Sequence, residues 1–251
     1  MTDHIAKYNE LFVKRLGTTD DSYMITTDLI YIFPIQCTIL FDRNTIKCTN
    51  QTNIIQIPTM LYPQTPNFAI VEGYFVLKKN NSIALSKNNI LGNNSIFYTK
   101  MNVIQIPITK CTSELLQFYG CTIITNGDTL KLNNNIEMPF FKIIIGKNYK
   151  NGFLLQKDLG EGFYIETHDT PHIHQPININ AKGHLVLAKR HGNTLLLSKV
   201  RIPYGKALYI PPNTYHNDSL LIGDYNVLYT KTNIYQTYIF KTVDNKIVNI
   251  I

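Results

Sequence analysis

The sequence has none of the features that mark a membrane-spanning or secreted protein. No run of eighteen apolar residues occurs, because even the most apolar segment, residues 29–41, is interrupted by Pro34, Gln36 and Thr38. The first 17 residues contain no apolar core of a secretory signal. The four cysteines include no CxxC pair, which is typical of free thiols in a reducing compartment. We therefore expect a soluble cytoplasmic protein.

Charge is sparse and scattered. Charged residues make up only 16% of the chain, and despite a net charge of +7 the longest basic cluster is Lys189-Arg190 followed by His191. A nucleic-acid-binding domain usually concentrates its cations on one face and adds exposed aromatic residues. We therefore expect neither a nucleic acid nor a membrane as a partner. The hydrophobic fraction of 44% is sufficient for a folded core.

The secondary-structure pattern predicts an all-β protein. Residues 3–16 are the exception, since their apolar residues recur near helical spacing and predict a short N-terminal helix. Most of the remaining chain consists of short runs rich in Ile, Tyr, Thr, Phe and Leu, separated by turns that contain Asn or Gly. Such a pattern is typical of antiparallel strands.

An internal repeat divides the chain. VEGYFVLKKNNSIALSK (71–87) aligns with AKGHLVLAKRHGNTLLLSK (181–199), and FYTKMNVIQ (97–105) resembles LYTKTNIYQ (228–236). The offset between the copies grows from 112 at Ser86 and Ser198 to 131 at Tyr98 and Tyr229, so the first copy lacks 19 residues. The missing region corresponds to the segment that contains His216. Any histidine site is therefore expected in the second half alone.

Six of the seven histidines lie between residues 168 and 216. His172 and His174 are two apart, so on a strand they point to the same face and can coordinate one ion. A third ligand must come from a neighbouring strand, and His216 can supply it from the segment GKALYIPPNTYH (205–216). Here Gly205 opens a strand, Pro211 and Asn213 end it, and His216 begins the return strand.

This arrangement resembles the two signature motifs of the cupin superfamily, in which HxH is followed by G-x5-P-x-G-x2-H. Gly205, Pro211 and His216 stand at the family's spacing, and Asn213 replaces the last glycine. Asn is among the few residues that tolerate the left-handed backbone that a glycine suggests. The family also places a glutamate three or four residues after HxH, where this chain has Asn178 and Ile179. The resemblance therefore implies a metal site of His172, His174 and His216 without that glutamate.

Other residues are candidates for an additional ligand or for the pocket. Glu166 and His168 share strand parity with His172, although Pro171 makes a continuous strand doubtful. The further candidates are Asn178, His184, Arg201 and Tyr215.

The resemblance implies a fold of two cupin-type antiparallel β-barrels, each a double-stranded β-helix or jelly roll, with the short N-terminal helix. Residues 1–150 would form a degenerate barrel that includes the helix, and residues 151–251 would form the barrel with the metal site. Cupins often pair through barrel edges, so a homodimer is the expected assembly.

The expected function is that of a metal-binding cupin. The imidazoles would hold one divalent ion, which is Fe, Mn, Ni or Zn. With this ion the protein would act on a small oxygen-rich metabolite, either as a dioxygenase or as a sugar-type isomerase or epimerase. The alternative is a non-catalytic module that binds a small molecule or a carbohydrate. No catalytic base is identifiable in the sequence, so whether the protein is an enzyme stays open.

Overall fold

Strands dominate the computed structural model, which describes residues 8, 11–43, 45–50, 64–77, 94–230, 232 and 234–251. Up to residue 150 the strands are β1 (Lys14–Leu16), β2 (Tyr23–Phe33), β3 (Thr38–Asp42), β4 (Thr45–Thr49), β5 (Ala69–Val76), β6 (Asn94–Thr99), β7 (Val103–Ile104), β8 (Ile108–Thr109), β9 (Thr122–Thr125), β10 (Thr129–Lys131) and β11 (Met138–Ile145). After residue 150 they are β12 (Tyr164–His168), β13 (His172–Pro176), β14 (Lys182–Gly183), β15 (Leu185–His191), β16 (Thr194–Val200), β17 (Lys206–Ile210), β18 (Tyr215–Asn217), β19 (Leu221–Leu228), β20 (Tyr235–Thr242) and β21 (Asn249–Ile250).

The described residues also include three short helical segments. They are an α-helix at Ser113–Leu116, a 3-10 helix at Gln117–Tyr119 and a π-helix at Lys150–Leu154. Among the described residues no helix has both the length and the apolar character needed to cross a membrane.

One sheet closes on itself as a ring of seven strands. Its order is β15-β18-β12-β20-β6-β5-β16, and β16 pairs again with β15. The contact between β20 and β6 is parallel, whereas the other pairings around the ring are antiparallel. Five ring strands come from the second half of the chain and two, β5 and β6, come from the first.

A second, open sheet lies beside the ring in the order β1-β2-β11-β19-β13-β17-β9. From β11 to β19 the chain passes repeatedly between the two sheets: β11, β13, β17 and β19 belong to the open sheet, whereas β12, β18 and the hairpin of β15 and β16 belong to the ring. A small sheet, β10-β3-β4, completes the fold together with the parallel pair of β21 and β7.

Apolar side chains form three cores. The ring core contains Phe97, Ile165 and Phe240. The inter-sheet core joins strands of the ring to strands of the open sheet, and it contains Leu187 and Leu208. The outer core includes residues of the small sheet and of the open sheet, among them Ile39, Phe140 and Ile173. The polar cluster described below lies on the face of the ring that borders the inter-sheet core.

The predicted N-terminal helix is wrong at its C-terminal end. Lys14–Leu16 form β1, which pairs antiparallel with β2 and has Arg15 buried between exposed neighbours. That alternation has the period of a strand, and pairing with β2 satisfies backbone groups that a helix would have satisfied internally. Residues 3–7 and 9–10 of the predicted helix lie outside the described residues.

The all-β prediction is confirmed, but the described residues show one closed barrel and no second one. Strand pairings cross the predicted boundary between residues 150 and 151, since β5 pairs with β16, β6 with β20 and β11 with β19. The described strands of the first repeat copy therefore complete the ring of the second half. Residues 78–93, which include most of the turn in the first copy of the repeat, lie outside the described residues.

Candidate metal centre

Four buried side chains converge between the two sheets. Glu166, His168, His172 and His216 each offer one ligand atom, and these four atoms all lie within 4.8 Å of one another. Glu166 and His168 come from β12, His172 from β13 and His216 from β18. A carboxylate and three imidazoles at this separation can hold a metal ion.

Strand register determines which side chains meet. Glu166 is directly opposite His216 in the antiparallel pairing of β12 with β18, so both side chains point to the same face. Glu166 Oε1 lies 3.6 Å from His216 Nε2. His172 comes from the open sheet, and its Nδ1 lies 3.1 Å from His216 Nε2.

The turn before His216 has the geometry that the sequence predicted. Gly205 and Asn213 both adopt a left-handed backbone, with φ of 79° and 63°. Asn213 therefore takes the conformation of the glycine that it replaces. Its backbone N–H donates to the carbonyl oxygen of His168 at 2.7 Å, which joins this turn to the end of β12.

Two backbone carbonyls orient the imidazoles. The Nδ1–H of His168 donates to the carbonyl oxygen of Thr170 at 2.6 Å, and the Nδ1–H of His216 donates to that of Thr214 at 2.9 Å. Because a carbonyl oxygen only accepts, Nδ1 carries the proton in both rings and Nε2 keeps its lone pair. Metal-binding histidines are commonly held in this way.

The imidazoles are neutral at physiological pH. Burial lowers the pKa of His168, although the carbonyl of Thr170 and the charge of Asp169 oppose this shift. Burial lowers the pKa of His172 and of His216 well below the ordinary value, and neighbouring imidazoles add to this effect. A neutral imidazole is the form that coordinates a metal.

The carboxyl group has the opposite shift. Burial raises the pKa of Glu166 to about 8; the negative charge of Asp218 adds to this effect, and the positive charge of Arg15 opposes it. Without a cation beside it, Glu166 is therefore mostly protonated at neutral pH. A divalent cation at the cluster would favour the ionised carboxylate.

His174, one of the three ligands predicted from the sequence, lies beside the four-residue cluster. Its ring is fully buried, 5.7 Å from the ring of His172 between centroids, and neither of its nitrogens has a hydrogen-bond partner. His168 Nε2 is also buried without a partner. Unpaired buried nitrogens are costly unless a ligand satisfies them, and this supports an ion at the cluster.

The other predicted candidates lie outside the four-residue cluster. Asn178 donates to Asp224 at 3.1 Å, and the ring of Tyr215 lies 6.3 Å from that of Tyr238 between centroids. His184 and Arg201 are close enough for the charge of Arg201 to lower the pKa of His184. Of the six additional candidates, the structure therefore brings Glu166 and His168 to the cluster.

A cavity of about 30 Å³ adjoins the cluster. Its polar lining consists of Arg15, Tyr164, Glu166, His172, Asp218 and Tyr229. Arg15 is buried, with its guanidinium 3.2 Å from the hydroxyl of Tyr149 and 3.4 Å from that of Tyr164. No sequence pattern pointed to Arg15, because it lies in the segment predicted as a helix.

The fold and the site together define an all-β protein with a closed seven-stranded barrel and a buried Glu/His3 cluster that could bind a metal ion. Comparisons with protein-family models, with curated proteins and with solved structures gave no match to this chain.

Proposed function

We propose that this chain is a cupin-like metal protein whose ion is bound by Glu166, His168, His172 and His216. The observation that carries the proposal is the convergence of one carboxylate and three imidazoles, all buried, within 4.8 Å. Burial of this many polar groups is costly, and a shared cation offsets the cost by accepting their lone pairs.

Two features support the cupin-like part of the proposal. The chain from β11 to β19 passes repeatedly between two sheets, as in the jelly roll of that superfamily. His172 and His216 belong to the two motifs that resemble the family's, and they lie 3.1 Å apart. Glu166 replaces the family's glutamate, since it reaches the site from the strand before HxH.

The proposed activity is a reaction of a small oxygen-rich metabolite, catalysed either by a dioxygenase or by a sugar-type isomerase or epimerase. A bound Fe(II), Mn(II), Ni(II) or Zn(II) ion supplies a Lewis acid with open coordination positions. The histidines bind in the neutral form, and the carbonyls of Thr170 and Thr214 hold two of them in the required tautomer. Glu166 contributes the negative charge that partly neutralises the ion.

Metal analysis of protein purified without a histidine tag tests the site. We expect one equivalent of a divalent metal in the wild type and a loss of most of it in His172→Ala and His216→Ala. His191→Ala is the matched control, because His191 is an exposed residue at the end of β15. A metal-free wild type that also fails to bind added Fe(II), Mn(II), Ni(II) or Zn(II) would exclude the proposal.

Oxygen consumption then tests the reaction. Protein reconstituted with Fe(II) would be mixed with a panel of small thiols, keto acids and hydroxy ketones in an oxygen electrode. Uptake that depends on one compound and disappears in His216→Ala supports a dioxygenase. Conversion of a hydroxy ketone without oxygen uptake supports an isomerase instead.

The second candidate function is a non-catalytic metal-binding module. The volume of the cavity favours it, because about 30 Å³ accommodates one or two water molecules, whereas drug-sized ligands occupy about 300–1,000 Å³. Stoichiometric metal without turnover of any compound in the panel would support this candidate.

A further inference from the structure

A second cavity lies away from the metal centre and has a volume of about 380 Å³. This volume is within the range of small-molecule sites. Four side chains in its lining carry or can accept a positive charge: Lys147, Lys150, His184 and Lys199. We call this cavity the cationic cavity. None of its lining residues belongs to the four-residue metal cluster.

The four side chains come from three segments of the chain. Lys147 follows β11, Lys150 begins the π-helix, His184 lies between β14 and β15, and Lys199 is on β16. Lys150, His184 and Lys199 are half-buried. The fold thus gathers them in one concavity, although the sequence shows no basic run at any of the four positions.

The positive charges at this site affect one another. Burial lowers the pKa of Lys199, and the charge of Lys150 lowers it further. Burial also lowers the pKa of His184, and the charges of Lys199 and Arg201 add to that effect. Like charges held together in this way are destabilising unless an anion compensates them.

Two of the three lysines have a partner within the protein. Lys147 forms an ion pair with Asp21 at 3.4 Å, and Lys150 Nζ donates to the carbonyl oxygen of Ile250 at 2.5 Å. No aspartate or glutamate side chain is among the described residues that line the cavity. Lys150 and Lys199 therefore face the concavity as cations with no carboxylate side chain between them.

The lining also has an apolar part, formed by Leu220, Leu221, Ile222, Ile250 and Ile251. A ligand that fits both parts has an anionic group and a carbon skeleton. Phosphate suits the cationic part best, because it carries up to two negative charges and lysine binds it as a point charge.

We propose that the cationic cavity binds the phosphate group of a small phosphorylated molecule, with Lys150 and Lys199 as the main contacts. The apolar side of the cavity receives the carbon part of that molecule. This site is independent of the metal centre, so it stands whether or not the cluster around His216 holds an ion.

Isothermal titration of the full-length protein with inorganic phosphate and with phenyl phosphate, at constant ionic strength, tests the proposal. We expect saturable binding of phenyl phosphate and at least about tenfold weaker binding in the double variant Lys150→Gln, Lys199→Gln. The matched control is Lys131→Gln, Lys157→Gln, since both lysines are exposed and neither lines the cavity. Circular dichroism would verify that both variants are folded.

The two probes separate the possible sources of the phosphate. Tighter binding of phenyl phosphate than of inorganic phosphate supports an organic phosphate, whereas equal binding would show that free phosphate is the ligand and would overturn the organic part of the proposal. Absence of saturable binding up to about 10 mM of either probe overturns the whole proposal. An equal loss in the control variant also overturns it, because net charge alone would then explain the binding. A further outcome is that a short RNA binds much more tightly than phenyl phosphate and loses this binding in the same double variant. That result would overturn the small-molecule proposal and identify a nucleic acid as the ligand.

Discussion

His216 Nε2 lies 3.1 Å from His172 Nδ1, although the two residues are 44 positions apart and belong to different sheets. Two nitrogens bound to one ion at about 2.0–2.1 Å are about 2.8–3.4 Å apart in octahedral or tetrahedral geometry. In the metal-free protein the same distance is a hydrogen bond from the Nδ1–H of His172 to Nε2 of His216. Metal binding would therefore replace one hydrogen bond with two coordination bonds and would require little movement of the strands.

The first prediction separates two possible ligand sets. His168→Gln should weaken the binding of Zn(II) by at least about tenfold, because it removes the unpaired Nε2 at the cluster. His174→Gln should have a smaller effect, since His174 lies outside the cluster of four. Competition with a chromophoric chelator measures both affinities.

His191→Gln provides the control for the removal of an exposed histidine. The reverse order, with His174→Gln more damaging than His168→Gln, would favour the ligand set of His172, His174 and His216 that the sequence predicts.

The second prediction concerns proton release. Because the pKa of Glu166 is raised to about 8, its carboxyl group is mostly protonated at pH 7 in the metal-free protein. Zn(II) binding at pH 7 should therefore release about one proton per site. Titration calorimetry in buffers of different ionisation enthalpy measures this number. In Glu166→Gln the release should be absent, and an unchanged release in that variant would assign the proton to another group.

The third prediction is an acid sensitivity of the metal-free protein. Burial lowers the pKa of His174 to about 4, whereas an unfolded histidine titrates near 6.5. Below pH 6.5 the unfolded state binds more protons than the folded state, so the free energy of unfolding falls as the pH falls toward 4. Between pH 7.5 and 5.5 His174 should account for a loss of about 1.4 kcal/mol.

Urea unfolding in the presence of a chelator, at both pH values, measures this loss. His174→Leu should reduce it, whereas His191→Leu should leave it unchanged. An equal pH dependence in His174→Leu and in the wild type would contradict the assignment to His174.

The sequence indicated where the candidate site lies more accurately than it indicated which residues form it. The spacing of HxH and the resemblance of the hairpin from Gly205 to the second cupin motif predicted His172, His174 and His216, of which His172 and His216 belong to the cluster of four. Glu166 and His168 were only candidates, since Pro171 left the strand before His172 uncertain. In the structure Pro171 lies in the connection between β12 and β13, where the chain passes from one sheet to the other. His168 and His172 thus approach from opposite sheets, a relationship that parity along one strand does not describe.

The fourth prediction tests the turn before His216. Asn213 is exposed with φ of 63°, so Asn213→Val should lower the free energy of unfolding by about 1–2 kcal/mol through backbone strain alone. Asn213→Gly should be neutral or slightly stabilising, because glycine adopts this conformation without strain. Urea unfolding measures both. Equal stability of the Val and Gly variants would show that the left-handed backbone is not retained.

The fifth prediction asks whether the two halves unfold together. Phe97 on β6 is fully buried in the ring core, with its ring centroid 4.7 Å from that of Phe75 and 5.1 Å from that of Phe240. Phe97→Ala should cost about 3–5 kcal/mol. Near-ultraviolet circular dichroism and metal release, followed during the same denaturation, should shift together.

Separate transitions would contradict this prediction. Metal release at the wild-type midpoint, with only part of the dichroism lost early, would instead support independent domains at residues 1–150 and 151–251.

The sequence also predicted the fold class more accurately than the strand partners. Alternating β-branched and aromatic residues indicate strands, and the turns of the second half were found close to their actual places. The partners of β5 and β6 could not be predicted, because the repeat implied that they close a barrel of their own. Their pairing with β16 and β20 depends on contacts between residues more than a hundred positions apart, such as Phe97 with Phe240, which no local pattern encodes.

The closure of the ring by β5 and β6 also bears on solubility. If β5 and β6 were absent, β16 and β20 would each present unpaired backbone donors and acceptors at a sheet edge, which invite self-association and fibril growth. The segment that contains β5 and β6 has no residue of the four-residue cluster, but it can be retained because it prevents aggregation. Natural selection would then preserve β5 and β6 because they raise the concentration at which the protein remains monodisperse in the cell.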